Sequence, residues 1–183
     1  MRIARFSIDG NVAFGAVEGD SPLVGAPPGV PPTPLSGVGE PSAQWRTADA
    51  ADGLVLDIIK GIPFTDFELT GTKVPLSKVR LLPPVLPNKV VAFGRNYAAH
   101  ATELGNQVPE APFAFFKPST SVIGTGDEIA YPPFSQELHH EAELAVVIGR
   151  MCREVPRARV ADVIFGFTCA NDVTARDVQK REK

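Results

Sequence analysis

A chain of 183 residues with 44% hydrophobic content can bury a packed core as one domain, or as a main domain with a small appendage. Its formal charge of -3 offers no basic field for nucleic acid or an anionic membrane, and no apolar run approaches the ~20 residues that a spanning helix needs. Two cysteines, Cys152 and Cys169, are too few and wrongly spaced for a disulfide framework, and with the charged start MRIARFSIDG they point to a cytoplasmic protein without a secretory signal.

Residues 1–20 alternate apolar and polar positions around Asp9-Gly10-Asn11, which predicts an antiparallel hairpin. From Ser21 to Pro41 the composition falls to Pro, Gly and small residues, so neither helix nor central strand can persist there. Thr47 to Gly61 carries Ala48, Ala51, Leu54, Val55, Ile58 and Ile59 at helical spacing, which predicts a short amphipathic helix. Lys73 to Pro84 reads as an extended, proline-punctuated connector and a domain boundary.

Beyond the connector the texture becomes short β-branched and aromatic runs bounded by Pro and Gly. These predict strands at Lys89 to Phe93, Phe113 to Phe116, Glu128 to Tyr131, Glu143 to Ile148 and Gly166 to Ala170. Two helices are expected between them, at Tyr97 to Leu104 with Gly105 as its stop, and at Ala158 to Val163. The class is α+β with a dominant sheet.

Three segments carry candidate chemistry. In Glu141-Ala142-Glu143, heading the apolar run Leu144 to Gly149, the two carboxylates share one face of a strand, where they repel and lose hydration unless compensated. A divalent cation is the simplest compensation, and an all-oxygen E-x-E unit favours Mg²⁺, Mn²⁺ or Ca²⁺ over zinc; the alternative is a strand edge with two solvated glutamates. Asp172, directly after the strand ending at Ala170, completes a three-carboxylate set or else caps a helix. Arg176 and Gln179, three apart, share a helical face on which the Arg fork can grip a carboxylate and the Gln amide orient it; pairing of Arg176 with Asp172 or Asp177 is the alternative. His100 and Glu103, one helical turn apart, form a workable general base and its orienter, or else a solvated surface pair.

The succession G-R-N-Y-A-x-H-x-x-E, then P-F-A-F-F-K-P-S-T at 112–120, then H-H-E-A-E-L-A-V-V-I-G, then N-D-V-T-A-R-D-V-Q resembles the fumarylacetoacetate hydrolase superfamily over about residues 90–180. That resemblance implies a mixed β-roll (FAH-type fold) over residues 85–183, preceded by a small α+β accessory domain at 1–80, in a protein that is usually a homodimer. It implies that Glu141, Glu143 and Asp172 bind Mg²⁺ or Mn²⁺, and that His100 with Glu103 is a water-activating dyad on a lid. Arg176 and Gln179 then contact the 2-oxo-acid end of a small-molecule substrate, and Lys117, in the family's F-x-K-P motif, joins them on the substrate side.

The activity implied is hydrolysis of a C–C bond in a 2-oxo or 1,3-diketo acid, such as an acylpyruvate or a ring-cleavage product of aromatic catabolism. Isomerisation of a 2-hydroxy-dienedioate and decarboxylation or tautomerisation of oxaloacetate are the alternatives within the family. A non-catalytic, metal-binding and dimerising remnant is the alternative of another class. Family members continue past the point where this sequence stops, so the resemblance also leads us to expect that a C-terminal part carrying a further lysine and several strands is missing.

Overall fold

The computed structural model describes residues 1–19, 53–103, 105, 107 and 109–182. The Pro/Gly-rich stretch expected to be a loop lies outside them. Among the described residues are eleven β-strands and two short α-helices, so the chain is β-rich. It divides into two compact units, Met1–Lys60 with Glu68–Asp127 and Gly61–Phe67 with Glu128–Lys183.

The first unit begins with the expected hairpin, β1 (Ile3–Ile8) and β2 (Asn11–Glu18), paired from Ile3↔Ala16 to Ile8↔Asn11. The turn residues Asp9 and Gly10 have φ of 49° and 79°, the left-handed pair of a tight hairpin turn, which a short polar residue and a glycine tolerate. With β3 (Val55–Gly61), β4 (Phe67–Pro75) and β5 (Arg80–Leu81) they form a sheet of order β4-β3-β2-β1-β5. Its core is Phe6, Leu54, Leu56 and Leu76, with Ile8, Ile58 and Leu81 packed against them.

One sequence expectation fails in this sheet, and the extended connector expected at Lys73 to Pro84 proves to be part of it. Where its residues are described, the predicted helix is a strand, β3, paired with β2 from Glu18↔Val55 to Phe14↔Ile59. Leu54, Leu56 and Ile58 face the core with a period of two, and a short apolar run is decided by the partner strand on offer rather than by its own spacing. Likewise the connector is structured: β4 runs to Pro75, one tight turn follows at Leu76–Lys78, and β5 pairs with β1 at Phe6↔Leu81 and Ser7↔Arg80. A second hairpin joins β6 (Val90–Gly94) to β7 (Phe113–Lys117), with α1 (Ala98–Glu103) between them in the chain. A side chain at Gly94 would come within 2.8 Å of the exposed Phe113 ring, which would have to move to admit it.

The second unit is built on an antiparallel ladder of β9 (Ala142–Ile148) and β10 (Ile164–Asn171), and a short one of β8 (Leu138–His139) and β11 (Thr174–Ala175). Helix α2 (Arg176–Arg181) follows β11 directly. The strand expected at Glu128 to Tyr131 does not form, because Pro132 and Pro133 end the run and cannot donate to a ladder. The helix expected at Ala158 to Val163 is a tight 3-10 helix, Arg157–Asp162, opened by Pro156. None of the described helices is long and apolar enough to cross a membrane.

Candidate metal centre

The β9–β10 register brings the acidic residues together. Asn171 opposes Ala142 and Ala170 opposes Glu143, and the ladder extends one step further, where the Asp172 N–H donates to the Glu141 carbonyl at 2.9 Å. Residues opposite one another on an antiparallel pair share a face, as do residues two apart on one strand. Glu141, Asp172 and Glu143 therefore emerge on the same face, with the small Ala170 opposite Glu143. One carboxylate oxygen from each lies within 4.8 Å of the others. The Glu141 N–H donates to the Asn171 side-chain oxygen at 3.1 Å, which closes the end of the ladder.

Asp172 is buried and does not cap the helix that follows. Helix α2 is entered through Ala175, which offers no side-chain cap, and the Thr174 hydroxyl donates to the Asp172 carbonyl at 3.0 Å in the link between. Arg176, 4% exposed, is the cation at this site. Its Nη1 donates to Gln179 Oε1 at 2.6 Å, its Nε to His139 Nδ1 at 3.4 Å and its Nη2 to Glu141 Oε1. Arg176 and Gln179 thus share the helical face expected of them, while the guanidinium takes Glu141 as its carboxylate rather than Asp172 or Asp177.

Asp177 turns the other way. Its carboxylate accepts the Ser135 hydroxyl at 2.6 Å and the Gln136 N–H at 3.0 Å, and these bonds hold it down to about 2, well below the usual carboxylate value. His139, Ser135 and Glu137 were not singled out by sequence reasoning. The doublet His139-His140 beside the E-x-E unit was a visible signal for the first. Ser135 carried none, since it sits in a proline-rich loop 42 positions from its partner.

His100 and Glu103 fall in α1, one turn apart, and their side chains lie outside the described residues. Lys117 ends β7 opposite Val90. All three belong to the first unit. Within the second, the three carboxylates supply only hard oxygen donors, with no thiolate or imidazole among them, and their spacing suits one small cation. The residues present fit Mg²⁺ or Mn²⁺.

A family model described as fumarylacetoacetate (FAA) hydrolase, C-terminal, matches residues 89–183, and one described as Rv2993c-like, N-terminal, matches residues 1–84. Protein Rv2993c of Mycobacterium tuberculosis is 38% identical over 182 residues, covering 100% of this chain and 58% of that protein. Mitochondrial oxaloacetate tautomerase FAHD1 of Arabidopsis thaliana is 50% identical over 95 residues, 52% of this chain and 43% of that one. The crystal structure of 2-hydroxyhepta-2,4-diene-1,7-dioate isomerase from Mycobacterium marinum superposes with a TM-score of 0.74 at 34% identity, covering 100% of this chain and 57% of that one. The chain thus spans about half the length of the relatives it matches.

Proposed function

Because the chain belongs to the fumarylacetoacetate hydrolase family, we propose that it forms the ion-binding half of a divalent-metal-dependent enzyme acting on 2-oxo acids. The observation that carries this reading is the single-faced triad of Glu141, Glu143 and Asp172, with the fork of Arg176 against its edge. A bound Mg²⁺ or Mn²⁺ would supply Lewis acidity toward the carboxylate and keto oxygens of such an acid.

The chain's own residues divide the remaining work. Glu141, Glu143 and Asp172 hold the ion. Arg176 and Gln179 grip and orient the substrate carboxylate. A guanidinium carries five N–H donors, and the bonds to Gln179, His139 and Glu141 use three of them. The roles of proton carrier for His100 with Glu103, and of substrate contact for Lys117, are those the family resemblance implies.

Keto–enol isomerisation is the first outcome of this arrangement, supported by the names of the Arabidopsis and Mycobacterium marinum relatives. Hydrolysis of a C–C bond in an acylpyruvate is the second; it would add water across that bond, with His100 as the general base. Ultraviolet assays of enol-oxaloacetate decay and of acylpyruvate loss, run with Mn²⁺ and again with EDTA, separate the two. We expect metal-dependent turnover of the first substrate to exceed that of the second. Turnover indifferent to EDTA would sink the metal assignment, and Mn²⁺ binding without turnover of either substrate would leave the non-catalytic alternative standing.

A further inference from the structure

We propose that Asp177, held by Ser135, is a positioning residue for Arg176 and Gln179 and thereby sets affinity for the 2-oxo-acid carboxylate; this rests on the function proposed above. Helix α2 presents two edges with different tasks. Arg176 and Gln179, three apart, are bonded to each other, and Arg176 also reaches Glu141 and His139. Asp177 and Lys180, also three apart and one step round the helix, are fastened to the segment Ser135-Gln136-Glu137. Asp177 accepts from Ser135 Oγ at 2.6 Å and Gln136 N at 3.0 Å, and Lys180 Nζ donates to Glu137 Oε2 at 3.0 Å. The backbone adds a fourth tie, Arg176 N–H to the Glu137 carbonyl at 2.7 Å.

Three features make the Asp177–Ser135 bond the decisive tie. Ser135 is 1% exposed, so its hydroxyl has no water to turn to; it also accepts from the Glu137 N–H at 3.3 Å. The Lys180–Glu137 pair lies at the surface, and such pairs contribute little. The helix itself spans six residues with no side-chain cap, too short to keep its direction unaided, so the direction of Arg176 comes from its tethers. The ion ligands, by contrast, ride on the β9–β10 ladder, whose register does not involve Asp177.

This division predicts a separation of two affinities, measured on the full chain by Mn²⁺ titration and then by oxalate titration of the Mn²⁺-loaded protein. Asp177→Ala and Ser135→Ala should each weaken oxalate about tenfold, the size of one lost hydrogen bond to a charged group, while Mn²⁺ affinity stays within about twofold. The double variant should lose less than the two single losses combined, since the Ser135–Asp177 bond is common to both. Ser135→Thr, which keeps the hydroxyl, should bind oxalate like the wild type and guards against a variant that merely folds poorly. Oxalate affinity unchanged in both alanine variants, or oxalate and Mn²⁺ affinity falling together, overturns the inference alone. Mn²⁺-loaded wild-type protein that takes up no oxalate overturns the 2-oxo-acid reading and this inference with it.

Discussion

In the five-stranded sheet, the alternation of β1 and β3 sends Phe6, Leu56 and Ile58 into one core with Leu54 and Leu76. In the β9–β10 ladder the same alternation sends Glu143 to one face and Leu144, Val146 and Phe167 to the other, where they are exposed. The first region is held by burial. The second is held by its hydrogen-bond register and by polar ties such as Ser135–Asp177, so it answers to charge where the first answers to packing. Carboxylates crowded on one face repel one another, and the Arg176 guanidinium offsets part of that repulsion at Glu141, an arrangement found at candidate sites rather than in cores.

Four measurements sharpen or break this comparison. Phe6→Ala should cost about 3–5 kcal/mol in denaturant unfolding, the range for deleting a buried aromatic; a loss under about 1 kcal/mol would mean that the sheet core is not what holds the first unit. Glu143→Ala should lower Mn²⁺ affinity by more than about 100-fold in calorimetry, since ligands matter at least as much as the groups that orient them. Unchanged Mn²⁺ binding would remove the triad as a metal site.

The third test is pH. Asp177 is held down to about 2 in the folded protein, against about 3.9 for a free aspartate, so between those values the unfolded chain binds more protons. Its contribution to stability is fully present above about pH 4 and fades as pH falls toward 2. Thermal midpoints of Asp177→Asn should therefore decline less steeply than those of the wild type across that window, and parallel curves would count against the Ser135–Asp177 bond. The smallest effect is expected from Phe167→Thr on the exposed face: a change in unfolding free energy within about 0.5 kcal/mol, since no buried contact is lost.

Some of this was legible in the residues and some was not. Asp9-Gly10 announced the first hairpin, and the runs around Val90, Phe113, Ala142 and Ile164 announced strands, because turn chemistry and β-branched composition are local properties. The run Leu54 to Gly61 misled: its apolar spacing matched a helix, and β2 made it a strand. Glu141 and Glu143 could be put on one face from their spacing alone. Asp177 was visible as a charge, but offered as a partner for Arg176 when its partner is Ser135.

Local residue chemistry is enough to say where the chain turns, which side chains alternate, and which acidic and basic groups stand close along it. Only the tertiary structure decided that Asp172 lies across from Glu141, that Arg176 takes Glu141, and that Ser135 is the socket for Asp177. The physical reason is that ladder register and long-range hydrogen bonds are chosen by the whole set of competing pairings, and one step of slip would send every carboxylate to the opposite face.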